Sequence, residues 1–513
     1  MNANLVVVGA LFSQLQDVRD LHIDEGVVWA ASSGGVEVFD TQGRSLARLN
    51  DLPSRRTTSV GWFGDRLVIG SADGAFVWDG DSWQTPGPRT PVVAVTELGV
   101  VYRDGSTWPG SFVDARLVDA VAWEGHILGF TADGRMLTDV GELLLPGPVA
   151  DVEVVDGQVR IAMHIAAAIW DSDGLEVLPI PATAAGRYWG TADGAILDDH
   201  GSRVGGVLGY IDEIRQIDET FVLATDDGVW TVGSGTEHWT SESICDNFVT
   251  GITRHQGELV VSTFNGGACA FDGESWRVLE LPSTMANDVL SDGDDLWVAT
   301  AEGLVQVGEE IFTQVEEDAA RREAGTNHDG INALAMGPDG LWVADVLGPV
   351  QVNPWRRYRW HVSGHSYQSI AACDDGSVWV GSEDDGLAVR GVEIGSRNGR
   401  SSWRQFGRLD GLPEDWVMAI ACADDGAAWV GTYRNGVGRV DESGWTPVME
   451  DAWVQFLLVD GDGLWIGTAD GLFYRDDTGV SQVLTEDVHA LYREDDRLWV
   501  GTRSGLLSVE LPS

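Results

Sequence analysis

The chain has 513 residues, 43% apolar and 9% aromatic, with 32 basic against 81 acidic side chains for a formal charge of −49. That length exceeds one ordinary core and suits two compact bodies or a repeat array, and the apolar content excludes a disordered chain. Such a charge repels nucleic-acid phosphates and anionic lipid headgroups, so neither nucleic acid nor a membrane surface is an expected partner. All of the basic residues are arginine, which excludes a lysine Schiff base or lysine nucleophile.

Leu5–Phe12 (LVVVGALF) is an apolar run of eight, and the first basic residue is Arg19. A secretory leader needs a positive n-region and a longer apolar run, and a membrane span needs about 20 apolar residues. The expected location is therefore cytoplasmic, unless a leader has been removed. The four cysteines Cys245, Cys269, Cys373 and Cys422 are far apart and form no Cys-x-x-Cys pair. Cys373 and Cys422 fall in equivalent strands of neighbouring repeats, where buried thiols in a reducing compartment are expected.

Trp465–Leu472 (WIGTADGL) is repeated closely at Trp499–Leu506, Trp429–Val437, Trp379–Leu387 and Trp297–Leu304, and loosely at Trp29–Val36. Each copy reads as a short strand, a tight glycine-bearing hairpin and a second strand. Placing Trp29, Val68, Val101, Leu128, Ile161, Tyr188, Val222, Val260, Trp297, Trp342, Trp379, Trp429, Trp465 and Trp499 in one column gives fourteen units, or thirteen if a poor copy is dropped. Their mean spacing of roughly 36 residues is that of a four-stranded blade. In the Val260 unit, Phe248–His255, Glu258–Thr263, Ala268–Phe271 and Trp276–Leu281 are the expected strands a to d. The small residue at Gly70, Gly431, Gly467 and Gly501 leaves room for a large side chain from the next sheet.

The expected fold is all-β, with two β-propellers of about seven four-stranded blades each, since fourteen blades exceed one ordinary ring. The last unit lacks a fourth strand, and residues 5–12 are expected to supply it, removing an exposed edge. Thr85–Pro91 and Glu316–Gly330 look like crossings. They favour a propeller of residues 91–316 inserted into one made of 1–86 plus 328–513; a split into 1–243 and 244–513 is the alternative.

Asp410-Gly411-Leu412-Pro413, followed by Val417–Ile420, Asp424–Gly426 and Trp429–Thr432, resembles the two-component regulator propeller repeat; Asp51–Ser54 and Leu281–Ser283 echo its opening. The resemblance covers nearly the whole chain and is strongest from residue 285 onward. It implies paired seven-bladed propellers of the kind that form extracytoplasmic sensors of membrane-bound hybrid histidine kinases and bind oligosaccharides.

No catalytic constellation is evident. Asp171–Gly174 and Asp460–Gly463 open like calcium loops, but the twelfth position holds Ala182 or Gly471 where a glutamate is needed, so both read as turns. The ten histidines show no metal-ligand spacing, and Gly-x-Ser-x-Gly is absent. No cofactor or metal is expected, and the chain reads as a non-enzyme.

Two sets of residues stand out. Trp355, Arg356, Arg357, Tyr358, Arg359 and Trp360 form a basic aromatic strand, read either as an outer strand paired with neighbouring acids or as a docking patch. Arg55, Arg56, Tyr367, Trp416, Tyr433, Arg434, Trp453 and Arg503 fall on the face shared by the b–c hairpins and d–a links, where bulky groups have no core to fill. The expected function is non-catalytic recognition, with a protein, peptide, oligosaccharide or other small ligand docked on propeller loops. A polysaccharide lyase or hydrolase and the detached sensor of a two-component system are the alternatives.

Overall fold

A computed structural model describes residues 7–24, 26–49, 52–110, 115–139, 141–239, 243–308, 311–312, 330–346, 348–352, 356–357, 366–390, 403–441 and 443–511, with backbone pairing alone for 7–12, 311–312 and 356–357. Apolar strands joined by glycine turns form fourteen antiparallel sheets among these residues, four-stranded except for Val92–Trp108, which has three. The sheet that the sequence resolves best runs Val249–His255, Glu258–Thr263, Gly267–Phe271 and Trp276–Val278.

The chain divides into Met1–Ser13 with Ser243–Ser513, here the composite ring, and Gln14–Glu242, the inserted ring. In each, the first strands of successive sheets pack side by side until the circle closes. Asp20–Asp24 meets Ile211–Ile217 in the inserted ring, and Val249–His255 meets Val488–Glu494 in the composite ring. The fold is thus two β-propellers of seven blades.

The crossings differ from the favoured expectation. Thr85–Pro91 links Trp83–Gln84 to Val92–Thr96, and the sheets that carry these strands are neighbours within one ring. The chain instead changes ring between residues 13 and 14 and again between 242 and 243. The second change matches the plainer split, but the first thirteen residues go with the later half. The reason is pairing: Val7–Phe12 lies antiparallel to Gly505–Glu510, with Val8 opposite Val509 and Leu11 opposite Leu507, as the fourth strand of the last blade.

Blades are packed by a recurring fit of valine into glycine. A Cβ on Gly467 would meet Val488 Cγ1 at 2.8 Å, and on Gly431 it would meet Val454 Cγ1 at 2.3 Å. The same holds for Gly70 against Val92, and for Gly501 against Val249 where the composite ring closes. Each valine opens strand a of the next blade, so the missing side chain lets two twisted sheets approach. Trp465 and Trp499 fill the core beside these contacts, their Nε1 atoms donating to Asp460 (3.1 Å) and Glu494 (3.0 Å).

The cysteines are not free thiols. Cys245 bonds Cys269 within one blade, and Cys373 bonds Cys422 across two adjacent blades, with Cα atoms 5.9 and 5.6 Å apart. Equivalent strands of neighbouring blades lie side by side, which brings residues 49 positions apart within disulfide reach. Disulfides persist in oxidising compartments. The expectations of a reducing environment and a cytoplasmic location are therefore overturned.

Candidate functional site

Of the eight loop residues singled out in the sequence, four meet in one cluster on the composite ring. Trp416 ends the link into strand Val417–Cys422, Tyr433 and Arg434 sit on the b–c hairpin of that blade, and Trp453 ends the link into Val454–Asp460. Trp416 stacks on Tyr433 with centroids 4.1 Å apart, Trp453 meets Tyr433 edge-on at 4.8 Å, and the exposed Arg434 guanidinium lies 5.0 Å from the Tyr433 ring. The three rings are half-buried, and the Nε1 atoms of Trp416 and Trp453 make no hydrogen bond to the described residues. Beneath them the buried Glu414 carboxylate accepts the backbone N–H groups of Arg434 (2.5 Å) and Asn435 (3.0 Å), fixing the hairpin.

Arg503 belongs to a second cluster on the same face. Its Nε lies 3.1 Å from Asp487 Oδ2 and 3.2 Å from His489 Nε2, while its guanidinium sits 5.0 Å from the Phe248 ring. Phe248 stacks on Phe264 at 5.2 Å and meets the His489 edge at 4.5 Å. Gln455 Nε2 donates to Asp487 Oδ1 at 2.7 Å. Burial would raise the Asp487 carboxyl, but His489, Arg503 and Gln455 hold it below the ordinary value.

The other three do not join. Tyr367 is buried in the core with Trp342, where desolvation, helped by Asp385 and Asp384, pushes its phenol up to about 12. Arg55 and Arg56 belong to the inserted ring; Arg55 is buried and Arg56 pairs with Asp73 at 2.8 Å. In the basic aromatic strand, Arg356–Arg357 pairs with the strand Gly348–Gln351, while Trp355, Tyr358, Arg359 and Trp360 lie outside the described residues.

Sequence reading missed a set of charges in the inserted ring. A cavity of about 420 Å³ there is lined by strand a residues including Asp20, Ser59, Asp119, Glu153 and Arg215. Carboxylates tie several blades to the next: Asp20 accepts from Val60 N–H (2.7 Å), Asp119 from Val152 (2.8 Å) and Asp151 from Ala185 (2.7 Å). Glu213 closes the circle on Leu21 N–H at 2.5 Å. Arg215 bridges Glu153 (2.7 Å) and Glu213. Desolvation pushes Asp151 up to about 7 and drives Asp119 and Glu213 well above the carboxylate range. Burial opposes the Arg215 charge, yet the facing carboxylates raise its pKa. The signal was a shared column: Asp20, Asp119, Asp151 and Glu213 occupy equivalent places early in strand a, opposite Ala31, Phe130, Ala162 and Ala224. Among the described residues, no group of three or more His, Cys, Asp or Glu is arranged to hold a metal.

No protein-family model and no curated protein matches the chain. Among solved structures it is similar to PorZ, an essential bacterial surface component of the type-IX secretion system of Porphyromonas gingivalis. That match has 15% identity over 98% of this chain and 87% of that one, with a TM-score of 0.66. It is also similar to the extracellular domain of a hybrid two-component system from B. thetaiotaomicron (13% identity, 98% and 83% covered, TM-score 0.43). A Staphylococcus aureus virginiamycin B lyase aligns with 52% of this chain and 96% of its own at 14% identity and TM-score 0.43. At these identities the likeness is one of fold, an all-β array of propeller blades.

Proposed function

We propose that the chain is a non-catalytic, extracytoplasmic ligand-sensing module. Its ligand rests on the loop face of the composite ring. The observation that carries this reading is the Trp416–Tyr433–Trp453 cluster: three large rings from separate loops, half-buried, on a hairpin held by the buried Glu414. Aromatic and arginine side chains held rigid before binding give affinity at low ordering cost. The disulfides support a place outside the cytoplasm, and the repeat's resemblance to two-component regulator propellers supports sensing over scaffolding. The raised carboxyls Asp119, Asp151 and Glu213 in the inserted ring are engaged on backbone amides between blades, which favours a structural role over acid–base catalysis.

The test is a thermal-shift screen of the folded chain against small metabolites and oligosaccharides, run beside Trp416→Ala/Trp453→Ala. Compounds that stabilise the wild type should fail to stabilise the double variant. Hits that shift both proteins equally would sink this assignment of the face.

A further inference from the structure

We propose that Arg503 is a carboxylate-binding residue, its outer nitrogens presented to a ligand whose apolar body rests on Phe248 and Phe264. This rests on the reading of the same face as the recognition surface and names the ligand chemistry it takes. Arg503 uses one edge of its guanidinium internally: Nε faces His489 Nε2 at 3.2 Å and Asp487 Oδ2 at 3.1 Å. Neither terminal nitrogen makes a hydrogen bond to the described residues, and the side chain keeps 43% of its surface open. The plane is fixed from below by the Phe248 ring at 5.0 Å. Asp487 cannot swing out to neutralise a competing position, because Gln455 holds Oδ1 at 2.7 Å, His489 lies 3.0 Å from the same oxygen, and its side chain is only 8% exposed.

A guanidinium so held is a preformed fork. Its free edge offers parallel N–H donors that match the two oxygens of a carboxylate, the geometry in which arginine outperforms lysine. Beside it Phe264, stacked on Phe248, leaves 37% of its surface exposed, so an apolar ring borders the fork. The site selects a small organic acid with a flat or apolar body. An aromatic acid and a sugar acid share the required carboxylate and differ in the body.

The experiment titrates the full chain with phenylacetate and glucuronate, each beside its uncharged counterpart phenylacetamide or glucose, following binding by ligand-observed NMR. At least one acid should bind about tenfold or more tightly than its neutral partner, the discrimination expected of a charge-assisted pair. Arg503→Gln should erase that preference, and Arg503→Lys should recover only part of it. Phe264→Ala, which leaves the Asp487 network intact, should weaken phenylacetate more than glucuronate; this keeps the proposal testable should Arg503→Gln unfold the blade. Preference for phenylacetate supports the proposal, and preference for glucuronate alone would overturn the apolar body while keeping the carboxylate. Equal binding of acid and neutral compound, unchanged acid binding by Arg503→Gln, or no saturable binding of either acid would overturn the proposal. None of these results would touch the broader reading, which falls only if screening hits ignore Trp416 and Trp453.

Discussion

The two rings solve the same closure problem by different means. The composite ring joins its ends through a shared sheet, with Val7–Phe12 hydrogen-bonded to Gly505–Glu510. The inserted ring takes no such strand. Its first and last blades meet through an apolar seam of Leu15, Val18, Phe39, Val222 and Trp239, two backbone hydrogen bonds from Asp17 and Val18, and the Glu213 carboxylate on Leu21. The column of strand a that holds Asp20, Asp119, Asp151 and Glu213 in the inserted ring holds Gly251, Ala333, Ala419, Phe456 and Ala490 in the composite ring, where Asp288 keeps the pattern by accepting from Leu334. Both circles close on apolar packing; the composite ring adds a shared backbone sheet and the Arg254–Glu494 pair at 2.7 Å, and the inserted ring adds a buried carboxylate on a backbone amide. The aromatic cluster proposed for recognition belongs to the composite ring.

The sharpest way to break this comparison is to delete residues 1–12. Losing the closing strand removes several backbone hydrogen bonds worth about 1 kcal/mol each. Hydrogen exchange should show the composite ring opening while peptides from 14–242 keep their protection. The mirror experiment is Arg215→Met, which strands Glu153 and Glu213 without their cation. It should cost the inserted ring about 3 kcal/mol, at the low end for a broken buried pair because Arg215 keeps 25% of its surface open to the cavity. Protection of the composite ring should not change.

Replacing Cys373 and Cys422 together by serine should cost the composite ring about 2–4 kcal/mol, read as a lowered denaturant midpoint. Gly467→Val would force a side chain into Val488 and should destabilise by about 1–3 kcal/mol. If either change were silent, blade packing would be looser than the valine–glycine fit implies.

The rings should also respond differently to pH. A carboxyl whose native pKa is raised binds more protons folded than unfolded, so its contribution to stability is present at low pH and is lost as pH rises through the native value. With Asp151 up to about 7 and Asp119 and Glu213 raised, the inserted ring should lose stability as pH rises from the unfolded carboxylate value of about 4 through about 7. Asp288, also raised to about 7 by desolvation, gives the composite ring a shallower version. Asp151→Asn should flatten the slope of the inserted ring; an unchanged slope would remove the carboxylate circle as its cause. The smallest expected stability effect is Arg434→Ala, within about 0.5 kcal/mol, because its guanidinium is exposed beside the Tyr433 ring.

The blade was legible because its determinants are local. Trp465 with its hairpin, Gly467 as a gap and the Asp-Gly turns act within one repeat of about 36 residues, and the same physics repeats fourteen times. The four residues around Tyr433 were legible too, since links and hairpins place them on one end of every blade. Tyr367 misled because a residue at the start of strand a points inward or outward according to its neighbours, and here Trp342 buries it. Phe248, Phe264 and His489 went unnoticed because each is unremarkable in its own repeat and acquires meaning beside Arg503 only when the last blade meets the Val249 blade.

By itself, then, the sequence determined the strands, the turns, the blade and its repetition, all settled by side-chain periodicity and glycine conformation over a few residues. The closing strand was legible too, because the last unit lacks a fourth strand and Val7–Phe12 supplies it. Which blades share a ring, which cysteines bond and which carboxylates face a common cavity were decided by the tertiary structure, because those outcomes depend on contacts between residues as far apart as Cys373 and Cys422 or Leu21 and Glu213, which no local pattern encodes.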